Sequence, residues 1–229
     1  YAPAYMFEAG MLPLNGYDVK GVVWYQGESN AHNMELHERL FSMLQKSWRR
    51  FFHNPELPFY FVQLSSLNRP SWPRFRDSQR RMASTLRNTW IAVTTDVGDS
   101  LDVHYTNKKP VGERLGLQAL HHSYDYKIES EGPVCHSVSV KDNGLELQFT
   151  HAQSLSANGS RLVGFEVAGV DGIYFPAEAQ ITASNTLLVR SSSVTHPRYV
   201  RYGWQPFTHA NLVNEVGLPC STFQWRVRK

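Results

Sequence analysis

A chain of 229 residues is long enough to bury a full core, as one large domain or two modest ones. Its 41% hydrophobic and 19% charged residues exclude a disordered or fibrous protein, and no window approaches the roughly 18 consecutive apolar residues of a membrane span. The formal net charge of +3 is modest, and no zinc-finger, RNA-recognition or other nucleic-acid motif accompanies it, so neither a nucleic acid nor a membrane is an expected partner.

The chain opens on Tyr1 with no signal-like n-region, as a processed chain or a fragment would. Val19 to Tyr25 is a β-branched and aromatic run, which predicts a strand buried on both faces. It ends abruptly in Gln26-Gly27-Glu28-Ser29-Asn30. Asn33 is placed to cap a helix whose apolar positions Leu36, Leu40, Met43, Leu44 and Trp48 recur at three and four residues, before Pro55 and Pro58 end it. Phe59 to Leu64 reads as the second strand, followed by the loop SSLNRPSWP and a second helix with Phe75, Met82 and Leu86 on one stripe. Trp90 to Thr95 is the third strand, with the exit loop DVGDSLDVHYTNKKP. A third helix is expected to start near Pro110, a favoured first-turn residue, and to continue through Leu115 and Leu120.

Strand–helix alternation with crossovers of this length implies a parallel sheet with helices on both faces. Ligands of such sheets bind beyond the carboxyl ends of the strands, and all three exit loops here are rich in polar or reactive residues. Three strands are few for such a sheet, so further strands before Tyr1 are expected. After about residue 130 the pattern changes to short alternating runs: Val138–Val140 and Leu145–Phe149 flank Lys141-Asp142-Asn143-Gly144, a hairpin signal. The expected division is therefore an α/β domain over residues 1–130 and a β-rich domain over residues 131–229.

Charge is unevenly placed. From Lys46 to Trp90 there are nine Lys/Arg and two acidic residues, a local +7, so the remainder nets −4. Such a segment suits an anionic ligand or, as the plainer expectation, solvated helix faces. Cys135 and Cys220 exclude a disulfide-dense scaffold and a four-cysteine zinc site, and leave open one bridge or two buried thiols. Asn158-Gly159-Ser160 is a glycosylation sequon only if the chain enters a glycosylating pathway.

The sharpest chemical cue is Asp102-Val103-His104. In an extended segment residues i and i+2 point the same way, so the carboxylate would lie beside the imidazole, hold its tautomer and stabilise the imidazolium. Asp96 and Asp99 compete for that role. His121 and His122 fall late in a helix, where cations favour the dipole, and no H-E-x-x-H or similar spacing supports a metal.

The segments VKGVVWYQGESNA, WPRFRDSQ and DVGDSLDVHYTNKKPVGERL resemble the sialate O-acetylesterase family of the SGNH hydrolases. The likeness continues in GPVCHSV, GFEVAG, PAEAQI, VRYGW and NLVNEVGLP. The resemblance implies a three-layer α/β/α SGNH (flavodoxin-like) fold, here incomplete at the N-terminus, followed by a β-rich accessory region. It implies hydrolysis of O-acetyl esters on sugars without a cofactor or metal. The family's nucleophilic serine belongs to an earlier G-Q-S-N block, which a segment or chain preceding Tyr1 would have to supply. His104 would then be the general base, Asp102 its orienter and Gln26 the oxyanion donor, with Glu28, Asn30, Arg76 and Gln79 near the substrate. Arg76 and Gln79 are suited to packing or substrate positioning and at least equally to structural salt-bridging, and Trp204 to sugar stacking or to burial. Ser29 is not expected to be the nucleophile, since G-E-S-N-A lacks the second glycine of a G-x-S-x-G elbow. Tyr105 departs from the family's usual D-x-H-P. The expected activity is removal of O-acetyl groups from sialic acid or a related sugar, this piece alone being inactive, in a secreted, periplasmic or lysosomal compartment. An acetylxylan-type esterase and an inactive sugar-binding fragment are the alternatives.

Overall fold

The computed structural model describes residues 4–227. Strands β1 (Val22–Trp24), β2 (Phe59–Val62) and β3 (Thr89–Ala92) pair in parallel in that order, with Val22 opposite Phe59 and Phe59 opposite Thr89. Each is followed by a helix: α1 (Met34–Phe51), α2 (Trp72–Thr85) and α3 (Lys109–Tyr124). Parallel pairing needs such crossovers, because each new strand must start at the end where its predecessor started. Side chains alternate across the central strand. Phe59 and Phe61 pack with Phe41 of α1 and Met82 of α2, while Tyr60 and Val62 pack with Val111 and Leu115 of α3. Helices thus cover both faces of the central strand, in three layers, whereas edge strand β1 leaves Val23 exposed and is not buried on both faces as its apolar run suggested.

The sequence signals act locally as physics requires. The Asn33 side chain accepts the Leu36 N–H at 3.2 Å and caps α1. Prolines sit in the first turns of α2 and α3, and α3 stops at Asp125 in the left-handed region, φ 59°. One expectation is revised. The single apolar stripe expected on α1 divides in two: Leu44 and Trp48 pack with Phe41 against the sheet, whereas Leu36, Leu40 and Met43 are exposed. The face around His37, Phe41 and Gln45 is the buried one, and Gln45 satisfies its burial by donating to Thr89 Oγ1 at 3.0 Å.

The remainder is antiparallel. Strands β4 (Val134–Lys141), β5 (Gly144–Thr150), β9 (Glu178–Ala183) and β10 (Thr186–Arg190) form a sheet in the order β4-β5-β10-β9. Strands β7 (Phe165–Ala168), β8 (Tyr174–Pro176), β11 (Tyr199–Tyr202) and β13 (Phe223–Arg226) form a second in the order β13-β11-β7-β8. The short β6 (Ser156–Ala157) and β12 (Leu212–Val213) pair beside them. The β4–β5 hairpin turns at Asp142-Asn143, where Lys141 faces Gly144 and Asp142 takes φ 52°. Leu147, Phe149, Val167, Leu187 and Val200 share one core between the sheets. Both cysteines are free and buried, and burial pushes the Cys135 thiol up to about 12. Among the described residues no helix is long and apolar enough to cross a membrane.

The parallel and antiparallel parts meet over a polar seam. Gln63 at the end of β2 donates to Ser221 Oγ at 2.6 Å, and Ser66 Oγ accepts the Thr208 N–H at 3.3 Å. Beside them lies a mostly apolar cavity of about 120 Å³, lined from both parts by residues such as Trp90, Ile91, Cys220 and Phe223. The seam fixes the rim loops from below, which is its bearing on function.

Candidate active site

The exit loops of the three parallel strands come together at one rim. After β1 the chain makes a tight bend at Gly27, φ 148°, where an added Cβ would lie 2.9 Å from the Phe75 ring, and then one 3-10 turn over Glu28–Asn30. The loop after β2 runs beside the loop after β3: Ser66 N–H donates to Val97 O at 3.0 Å and Asn68 N–H to Ser100 O at 3.1 Å. Their approach depends on Gly98, φ 127°, whose Cβ would stand 2.2 Å from Ser66 O.

A crevice of about 390 Å³ opens between these loops, within the size range of small-ligand sites. His104 lines it together with Glu28 and Ser29, and Tyr25, Arg69, Val103 and Lys108 complete the walls. His104, Glu28 and Ser29 therefore share one space. Gln26 stands in the chain between two lining residues but does not line the crevice; it is half-buried, and its amide makes no hydrogen bond among the described residues. Asn30 is tied sideways, its amide 3.2 Å from His37 Nδ1. Burial pulls the His37 imidazole below its ordinary value, against the pull of Glu38, which keeps the ring neutral and able to accept that bond.

The Asp102–His104 segment is a turn, not the extended stretch that the spacing suggested. Asp102 Oδ1 accepts the backbone N–H of His104 at 2.7 Å, because a turn leaves that donor without a backbone partner. Its Oδ2 makes no hydrogen bond among the described residues. The competing carboxylates are engaged elsewhere. Asp99 accepts the N–H groups of Leu101 and Asp102 at 2.7 and 3.0 Å, which hold its carboxyl below the usual range. Asp96 forms a two-pronged pair with Arg114, both contacts 2.6 Å. Tyr105, the departure from D-x-H-P, is buried beneath the loop, with its hydroxyl 3.3 Å from that of Tyr25.

Arg76 and Gln79 lie inside, not on the rim. Arg76 is wholly buried and donates to the carbonyls of Gly203, Gln205 and Pro206 at 2.9, 2.5 and 3.1 Å. Gln79 accepts the Leu64 N–H at 2.9 Å and donates to Val62 O at 3.1 Å, extending the β2 hydrogen-bond ladder with a side chain. Neither is presented to a ligand, so as substrate contacts both are corrected: the structure makes them internal ties. Trp204 is half-buried with the Arg201 guanidinium 5.9 Å from its ring. Five of the nine cations of the basic segment are paired with carboxylates or bound to carbonyls, Arg76 among them. Arg49 donates to Leu57, Arg87 and Asn88 oxygens, Arg80 and Arg81 pair with Asp77, and Arg87 pairs with Glu56. Two crevice residues, Arg69 and Lys108, were not singled out from sequence; their places in the second and third exit loops were the available signal.

The family described as carbohydrate esterase, sialic acid-specific acetylesterase, matches residues 7–121, which include the whole crevice. The chain belongs to this family. Sialate O-acetylesterase from Mus musculus is 30% identical over a match covering 87% of this chain and 42% of that protein. The Homo sapiens sialate O-acetylesterase is 29% identical over 87% of this chain and 43% of its own length. A solved structure, a carbohydrate acetylesterase from Xanthomonas citri, superposes with a TM-score of 0.88 at 35% identity, covering 94% of this chain and 52% of that one. The chain thus spans about half the length of the relatives it matches. The crevice brings together a histidine, a carboxylate and two cations, groups that can each hydrogen-bond a ligand oxygen.

Proposed function

We propose that this chain supplies the base and the oxyanion donor of a serine-type carbohydrate esterase, which removes O-acetyl groups from sialic acid or a related acetylated sugar. The nucleophilic serine comes from polypeptide outside these 229 residues. The observation that carries the reading is the common crevice of His104 and the β1 exit loop, in a chain of the acetylesterase family.

The serine hydroxyl attacks the acetyl carbonyl while His104 takes its proton. The Gln26 amide, unused by the protein, donates to the oxygen that becomes negative. The imidazolium then protonates the departing sugar oxygen, and water hydrolyses the acetyl-serine by the same route. Asp102 Oδ1 fixes the loop through the His104 backbone N–H; no hydrogen bond or ion pair joins the carboxylate to the ring among the described residues, so in this scheme the ring turns towards Oδ2 when the site is complete. In the longer polypeptide carrying the serine, His104→Ala is expected to lower kcat about 10²–10⁴-fold with little change in KM. Retention of turnover would remove His104 from the mechanism.

One observation favours a second reading. Ser29 is exposed and shares the crevice with His104, although no hydrogen bond joins them. If the isolated chain hydrolyses p-nitrophenyl acetate and Ser29→Ala abolishes this, Ser29 is the nucleophile and the external serine is unnecessary. The expected result is no hydrolysis by the isolated chain.

A further inference from the structure

Two cations line the crevice beside His104, and among the described residues neither pairs with a carboxylate. The Lys108 ammonium sits 3.5 Å from the Tyr105 ring centroid and 4.9 Å from that of Tyr25, and donates to Tyr25 Oη at 3.3 Å. That is one of its three donors. The Arg69 guanidinium lies 5.3 Å from the Trp72 ring centroid and makes no side-chain hydrogen bond. Each charge is therefore positioned by aromatic rings and left with donors to offer. Holding a cation this way serves recognition better than stability: a ring face fixes the charge without neutralising it. Partial burial lowers the Lys108 pKa, opposed by the charges of Glu28 and Asp102, as expected for an ammonium lacking a contacting counter-ion.

We propose that Lys108 and Arg69 form a carboxylate-recognising pair that selects an acidic acetylated sugar over a neutral one. The selection rests on the esterase reading only for the ester that is cleaved; the recognition is a property of this chain. Glu28, the carboxylate in the same crevice, forms no ion pair with Lys108 and is suited to accept sugar hydroxyls. The two cations come from different exit loops, Arg69 from the one after β2 and Lys108 from the one after β3, so a carboxylate between them would also bridge the rim. A xylan backbone, being neutral, would leave both cations unused, which sets this crevice apart from an acetylxylan site.

The test measures binding of N-acetylneuraminic acid and its methyl ester to this chain by NMR titration. Wild type is expected to bind the acid about tenfold more tightly than the ester, the effect of a hydrogen bond to a charged group. Lys108→Met keeps a long unbranched side chain without the charge; it and Arg69→Gln should each remove about that tenfold advantage for the acid, with Lys108→Arg restoring part of it. Should either variant fail to fold, salt provides the second measurement: the acid's advantage should shrink between 0.05 and 0.5 M NaCl, by ordinary screening, at about these concentrations. Equal binding of acid and ester by wild type, or binding of neither, overturns the proposal. Hydrolysis of p-nitrophenyl acetate by the longer polypeptide tests the esterase reading separately, since that ester carries no carboxylate.

Discussion

Arg76 shows how a single side chain can hold the rim in place from the interior. Its guanidinium has no carboxylate partner; three carbonyls of the 203–206 segment take that place, 127 to 130 residues along the chain. Burial pulls its pKa down to about 9, so it remains cationic at neutral pH. Arg76→Met would strand those carbonyls in the seam at roughly 1 kcal/mol or more each, a total loss of about 3 kcal/mol or more in a urea titration. Arg76→Lys should recover little, because one ammonium cannot span three acceptors as the planar fork does. A loss under about 1 kcal/mol for both would show the tie to be idle. WPRFRDSQ could not reveal this role. A polar residue near a site motif looks the same whether it faces a ligand or a distant carbonyl, and only the fold supplies the carbonyl. The spacing of Asp102 and His104 did not give their geometry: i and i+2 share a direction only in extended backbone, and in the turn the carboxylate meets the His104 backbone N–H instead of its ring.

Between elements, the decisive contact is the pairing of the loops after β2 and β3. Ser66 bridges to Gly98, and the His104 turn follows a few residues later, so the position of the imidazole depends on this junction. Gly98→Ala combines a φ that side chains rarely adopt with a Cβ only 2.2 Å from a backbone oxygen. It is expected to cost more than about 1 kcal/mol by thermal denaturation, and to lower kcat/KM of the longer polypeptide by displacing His104. A stable variant with full activity would show that the rim tolerates separate movement of the two loops. At this scale the sequence was most informative. β-branched and aromatic runs marked all three parallel strands, although β1 pairs only over Val22–Trp24 where the apolar run extends from Val19 to Tyr25. Asn33 marked the start of α1. Which stripe of α1 faces inward was not legible, because Leu36, Leu40 and Met43 keep the same spacing as the residues that pack.

The molecule as a whole is held by contacts that no local pattern announces, and a second polar cluster lies where α3, the following segment and the end of β5 converge. Glu131 stands 3.7 Å from His122 and 3.7 Å from His151, and His151 is 3.1 Å from Glu129. His122 stacks on Trp90 at 3.9 Å and meets the edge of His121 at 4.5 Å, while Asn214 donates to the carbonyls of Glu131 and His151 at 2.9 and 3.0 Å. Burial alone would raise the Glu131 carboxyl; His122, His151 and His121 outweigh it and hold the carboxyl below its ordinary value. A carboxylate with a depressed folded-state pKa contributes stability above its unfolded value, about 4.3, and that contribution is lost as pH falls through the lower folded value. Glu131→Gln should therefore cost of order 1 kcal/mol, about 2–4 °C in Tm, at pH 6. The gap to wild type should close as the pH is lowered below about 4, where the wild-type carboxylate is itself protonated. Melting curves at pH 6 and pH 3 distinguish this from a packing defect: a deficit equally large at both would assign Glu131 a steric role in place of an electrostatic one.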